Sequence, residues 1–129
     1  MGKLNPPHLG NKLPAFYIDN NKTLLQIPFE FNRSVGKEEF NKMQILIKTM
    51  QTNSEKFSGS SIEIDKDKGV ASFSLGDFIP SPGQYYKIQL AFINSLNEIG
   101  FYSNVGIAKC TTKPDVLIEK LQQGQINNV

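Results

Sequence analysis

Residues 82–112 read PGQYYKIQLAFINSLNEIGFYSNVGIAKCTT, and their pattern decides the fold. Tyr86, Ile88, Leu90 and Phe92 alternate with Lys87, Gln89 and Ala91. Side chains on a strand point to opposite faces with period two, so this is a strand with one dry face. The next run, from Asn94 to Gly100, is rich in turn formers and closes on a glycine able to take positive φ. A second extended run is expected from Phe101 to Thr112. Two long strands joined by a short polar loop make a hairpin, and the rest of the chain has to cover its apolar face.

Working back from the hairpin, Phe78–Gly83 reads as a corner, and Val70–Leu75 as a strand with Ala71, Phe73 and Leu75 inward. Asp65–Gly69 is a tight turn. Ile62 and Ile64 mark a brief strand before it. The polar segment 51–61 is expected to be mobile or to wander laterally. Met43–Met50 is a strand, with Met43, Ile45 and Ile47 on one face and Leu46 and Met50 on the other. Ser34 is expected to cap a short helical turn that tucks in Val35 and Phe40. Thr23–Asn32 is a strand, and Pro28, which lacks a ladder donor, is expected to force a bulge or an edge-like exposure. Asp19–Lys22 is a turn, and Leu13–Ile18 a short first strand that Pro14 confines to an edge or a strand start. Residues 1–12 form an extended lead-in, residues 13–113 the folded domain, and residues 114–129 a tail.

Seven or eight short strands with almost no helix favour an all-β antiparallel sandwich, with a closed barrel as runner-up. A chain of 129 residues suits one domain that buries a core without staples. Without Trp but with nine Phe, that core rests on Phe, Ile and Leu. The net charge of +2 is too balanced to imply nucleic acid or a membrane surface. Met1–Leu13 does not read as a secretory leader, and no run is long and apolar enough to span a bilayer. One cysteine, Cys110, excludes an intrachain disulfide.

No catalytic, cofactor or metal constellation emerges. His8 is the only histidine, and a solvated loop residue is the simplest account of it. Cys110 lacks the base that a thiolate nucleophile needs, apart from that one distant histidine. Asp65 and Asp67 suggest a calcium loop, but Lys66 and Lys68 oppose a cation and Gly69 explains a hairpin turn. Glu38 and Glu39 point apart on any regular element. Tyr85, Phe101 and Tyr102 flank the central loop and form the candidate interaction surface, either stacking on sugars or anchoring a partner protein. Ordinary sandwich packing is the competing account of all three. Lys48, Lys87 and Gln89 are expected to form a polar outer face that keeps the sheet soluble.

In its last third the chain resembles fibronectin type III modules. Pro82, Gly83, Gln84 and Tyr86 match their Pro-Gly-Thr-x-Tyr motif, followed by Ile88, Leu90 and Phe92, then Asn94, Gly100, Ser103 and Thr111-Thr112-Lys113-Pro114. Pro6-Pro7 fits the entry, so the likeness covers roughly residues 5 to 114. It implies an immunoglobulin/fibronectin III-like sandwich of about seven strands, with Tyr86 as the corner tyrosine whose hydroxyl bonds nearby backbone. The chain departs from the pattern in lacking the second-strand Trp, for which Phe29 is the nearest substitute. Pro28 interrupts that strand, and the apolar residue before Pro-Gly is displaced to Phe78 or Ile79. Leu13-Pro14-Ala15-Phe16, Ile27-Pro28-Phe29 with Asn32, Ile47-Lys48-Thr49 and Gly83-Gln84-Tyr85-Tyr86-Lys87 are similar to fibronectin III-like modules in virion proteins of tailed bacteriophages. This resemblance implies a non-enzymatic spacer or docking unit in a virion, partnered by other virion proteins or by neighbouring modules in tandem. Pro114–Leu121 (PDVLIEKL) also echoes Pro7–Leu13 (PHLGNKL), as successive copies would. The alternative is a carbohydrate-binding or adhesion module of a surface protein or polysaccharide-degrading enzyme, with cell-surface glycan as partner.

Overall fold

A computed structural model describes residues 3–10, 15–19, 22–76, 78, 80 and 83–109. Among them are eight strands: β1 (Ala15–Asp19), β2 (Lys22–Pro28), β3 (Phe40–Thr49), β4 (Glu55–Ser60), β5 (Glu63–Asp65), β6 (Val70–Ser74), β7 (Tyr85–Asn94) and β8 (Gly106–Lys109). They form two antiparallel sheets, in the orders β1-β2-β6-β5 and β4-β3-β7-β8. One helical turn of 3₁₀ type, Lys37–Glu39, precedes β3.

The period-two patterns sort the side chains as their spacing requires. Ile88, Leu90 and Phe92 of β7 are fully buried and Tyr86 nearly so. Met43, Ile45 and Ile47 face them from β3, and Leu25, Ile27, Ala71 and Phe73 close over them from the other sheet. Burying a side chain of this size contributes roughly 1.5–3 kcal/mol, which drives the two sheets face to face. Phe29 and Phe40 both pack on Phe92, at centroid distances of 6.1 and 4.2 Å.

Pro28 is accommodated by the second of the two expected routes, an edge-like exposure, and its pairing with β6 shows no bulge. Phe29 N–H donates to Gly69 O and Leu75 N–H to Thr23 O. The odd residues of β2 therefore bond to β6, and the Pro28 nitrogen faces the β1 side. There the described pairing stops at Gln26, two residues before the proline. The strand ends at Pro28, short of the expected Asn32.

Three other boundaries differ from the pattern reading. The segment expected to wander holds β4, an edge strand whose only large apolar residue, Phe57, lies opposite Ile47 and leans on the core. Its main chain pairs with β3 without help from apolar periodicity. Ser34 does not cap the helical turn. Gly36 opens it, and the Glu39 carboxylate accepts from the Gly36 N–H. Ser34 instead hydrogen-bonds Asn32 and Asn5. Val35 and Phe40 are buried as expected.

The return strand is also shorter than expected, running only from Gly106 to Lys109. Before it, Ser103 holds the chain to the middle of β7. Its N–H donates to Leu90 O, and its hydroxyl accepts from Leu90 N–H and donates to Asn104 O. A side chain that bonds backbone in this way replaces a ladder. The loop from β7 winds around Asn94, whose Oδ1 accepts from Leu96 and Glu98 N–H. Its left-handed residue is Asn97, with φ 63°. Gly100 serves a different need: a Cβ there would sit 2.7 Å from Leu4 O and 3.0 Å from Phe92 O.

That contact belongs to a strap formed by the N-terminal segment. Leu4 and Leu9 are buried, and Leu4 O accepts from Phe101 N–H. His8 exchanges two backbone hydrogen bonds with Glu30. The Asn104 amide grips Leu9 at both ends, accepting from its N–H at 2.8 Å and donating to its carbonyl at 2.9 Å. The strap thus ties the β2 side of one sheet to the β8 side of the other. Asn104→Ala is expected to cost about 1–3 kcal/mol, because it leaves both Leu9 groups without protein partners. Amide exchange should accelerate at Leu9 and His8 well before it does at Ile88 and Leu90, as expected of a local opening.

Candidate functional site

The candidate aromatic group does not assemble. Tyr85 starts β7, paired with Lys109. Gly100 N–H donates to Phe92 O, which places Phe101 and Tyr102 beside the far end of the same strand. At about 3.3 Å per residue, roughly 20 Å separates Tyr85 from them. Only Phe101 and Tyr102 adjoin the 94–100 loop, so the expectation that all three flank it is corrected. Phe101 is exposed, with the Lys3 ammonium 5.6 Å above its ring. Tyr102 is half-buried.

Burial raises the Tyr102 pKa above its ordinary value, and the negative charge of Glu55 adds to the shift. The folded state therefore holds the phenol proton more tightly than the unfolded chain does. The resulting stabilisation is complete below the unfolded tyrosine value of about 10 and is lost as pH rises through the folded value. Melting curves between pH 8 and pH 11.5 should fall more steeply for the wild type than for Tyr102→Phe. Parallel profiles would show that this hydroxyl does not contribute.

The remaining candidates resolve as scaffold. His8 and Glu30 are both solvent-exposed, with Nε2 and Oε2 3.9 Å apart. Asp65 builds the turn: its Oδ1 accepts from Asp67 and Lys68 N–H, and its carbonyl from Gly69 N–H. Lys66 is turned inward, where its ammonium donates to Lys37 O and Phe40 O and sits 4.7 Å from the Phe40 ring centroid. Glu39 caps Gly36, while Glu38 is exposed. Among the described residues no group of three or more His, Cys, Asp or Glu side chains converges as metal ligands, and no helix is long and apolar enough to cross a membrane. Cys110, Ile79, Pro82, the Thr111–Pro114 motif and the echo in the tail lie outside the described residues.

What does assemble is the outer face of the second sheet, at its Tyr85 end. Lys48 and Lys87 stand directly opposite each other across β3 and β7. On the far side of Lys87 is Ile107, and beside it the pair of Tyr85 and Lys109. The Lys109 ammonium lies 5.3 Å from the Tyr85 ring centroid. Tyr85 is 50% exposed and Ile107 38%. Lys87 donates to Asn53 Oδ1 at 2.7 Å. The only ion pairs among the described residues are His8–Glu30 and Lys37–Asp67, so no described carboxylate lies within ion-pair distance of these three lysines, and the one acidic residue opposite them in the register is Glu55, on β4 across from Lys48.

Pattern reading placed Lys48 and Lys87 on a polar outer face, and the sheet bears this out. Ile107 and Lys109, outside that expectation, join them on this face through the β7–β8 pairing. Their parity along 106–109 was a visible signal, but the pairing of Lys87 with Ile107 depends on a register set across the long intervening loop. No protein-family model matches the chain, and no curated protein aligns with it significantly.

Proposed function

We propose that the chain is a non-enzymatic fibronectin III-like module, a spacer or docking unit of a tailed-phage virion protein. The observation that carries this reading is the strand order. In immunoglobulin-type sandwiches, strands A, B, E and D form one sheet and C, F and G the other. Strands β1, β2, β6 and β5 correspond to the first set, and β3, β7 and β8 to the second, with β4 added at the edge beside β3. The buried Tyr86 near the start of β7 occupies the place of the corner tyrosine, and Phe29, buried between Phe31 and Phe92, offers an aromatic ring in place of the missing Trp. The assignment to a virion rests on the phage-like phrases in the sequence.

Mechanically, two sheets locked over one aromatic core and strapped across one side make a stiff bead. Such a bead holds its neighbours at a set spacing and presents loops and sheet faces to them. Mass spectrometry of purified phage particles, with immunogold labelling against this chain, tests the reading. Peptides from the chain and label on the tail are the expected result. Absence from particles, combined with Tyr102-dependent retention on a glycan array, would replace it with the carbohydrate-binding alternative.

A further inference from the structure

We propose that the outer face of the second sheet around Lys48, Lys87, Lys109, Tyr85 and Ile107 docks an acidic polypeptide segment of a partner protein. The inference deepens the docking role proposed above and rests on it. Its first support is the direct opposition of Lys48 and Lys87. Side chains opposed in this way have Cβ atoms about 4.5–5.5 Å apart, and like charges there repel. Asn53 offers Lys87 a neutral oxygen only. Lys109 stands diagonal to Lys87 and adds a third positive charge, held over the Tyr85 ring, so the three lysines outnumber the single carboxylate of Glu55 that stands opposite Lys48. A carboxylate-bearing chain laid across β3, β7 and β8 relieves this repulsion.

The second support is the apolar surface among the charges. Tyr85 and Ile107 are exposed and Leu46 is half-buried on the same face, giving a partner side chains to pack on between carboxylates. Nucleic acid fits the patch less well. The chain's net charge is only +2, and its outer sheet face carries point-charge lysines without an arginine fork for bidentate phosphate contacts. Association through this face should be fast and salt-sensitive, since complementary charge governs encounter more than final affinity.

Poly-L-glutamate is the probe, titrated by NMR into the full chain and into Lys48→Gln/Lys87→Gln. The expected result is amide shifts centred on Lys48, Lys87, Ile107 and Lys109, with binding weakened at least tenfold in the double variant and its melting temperature unchanged or higher. The control Lys42→Gln/Lys68→Gln removes the same charge elsewhere and should bind like the wild type. Equal weakening in both variants overturns the proposal, because it would mean that net charge alone is being sensed. Tighter binding of heparin or single-stranded DNA through the same lysines also overturns it, as does concentration-dependent self-association that the double variant abolishes. Loss of poly-glutamate binding specificity leaves the virion assignment standing, whereas absence of the chain from particles leaves the binding result intact.

Discussion

Phe92→Ala is expected to destabilise the domain by about 3–5 kcal/mol, the usual cost of emptying a phenylalanine site in a close-packed core. Phe92 is fully buried and its ring packs on both Phe29 and Phe40, so truncation loses two ring contacts as well as the transferred area. Phe40 is pinned beneath the Lys66 ammonium, and Phe29 is tied by its N–H to Gly69 O. Against a total stability of about 5–15 kcal/mol, this is about a fifth of the margin or more. Urea denaturation should show a lower midpoint with an unchanged slope, and calorimetry a melting temperature roughly 12–20 °C lower. Phe101→Ala serves as the internal comparison. That ring is 55% exposed, and its removal should move stability by no more than about 0.5 kcal/mol. Similar costs at the two positions would contradict the inside–outside assignment of this part of the chain.

The second large effect is expected at Gly69. Its φ is +71°, and a Cβ would lie 2.6 Å from the Phe29 carbonyl oxygen. Gly69→Ala therefore combines the left-handed penalty of about 1–2 kcal/mol with a backbone collision costing about 1–3 kcal/mol. The predicted total is about 2–5 kcal/mol, measured by denaturant unfolding. Gly76 separates the two contributions, because it also has positive φ, +59°, but a Cβ there would meet nothing within 4 Å. Gly76→Ala should cost only the left-handed penalty. If the two variants are equally stable, the close approach of the Asp65–Gly69 turn to the end of β2 is not tight in solution.

Much of the scaffold was legible because burial on a strand is a local property. Ile88, Leu90 and Phe92, or Ala71, Phe73 and Leu75, go to one face whatever their partners are. The errors fell where main chain or a single polar side chain makes the decision. Strand β4 is held by its ladder to β3, which leaves little trace in the apolar pattern. The loop after β7 takes its left-handed residue at Asn97 because the buried Asn94 side chain winds the turn around itself, and this frees Gly100 for contact with the strap. Ser103 delays β8 by bonding Leu90 twice. The hairpin register, with Gly100 bonded to Phe92, sets Phe101 and Tyr102 at the far end of β7 from Tyr85 and divides the candidate aromatic group.

The amino-acid order alone determined which side of each long strand is dry, since alternation at period two needs no knowledge of what lies across the gap. Tertiary structure alone decided which residues face one another on the wet side. Lys48 meets Lys87, and Lys87 meets Ile107, only in the register that the bulge in β3, the Asn94 loop and Ser103 jointly impose. Cross-strand opposition is a property of register, and register is fixed by all of the chain's closures together, so no local stretch encodes it.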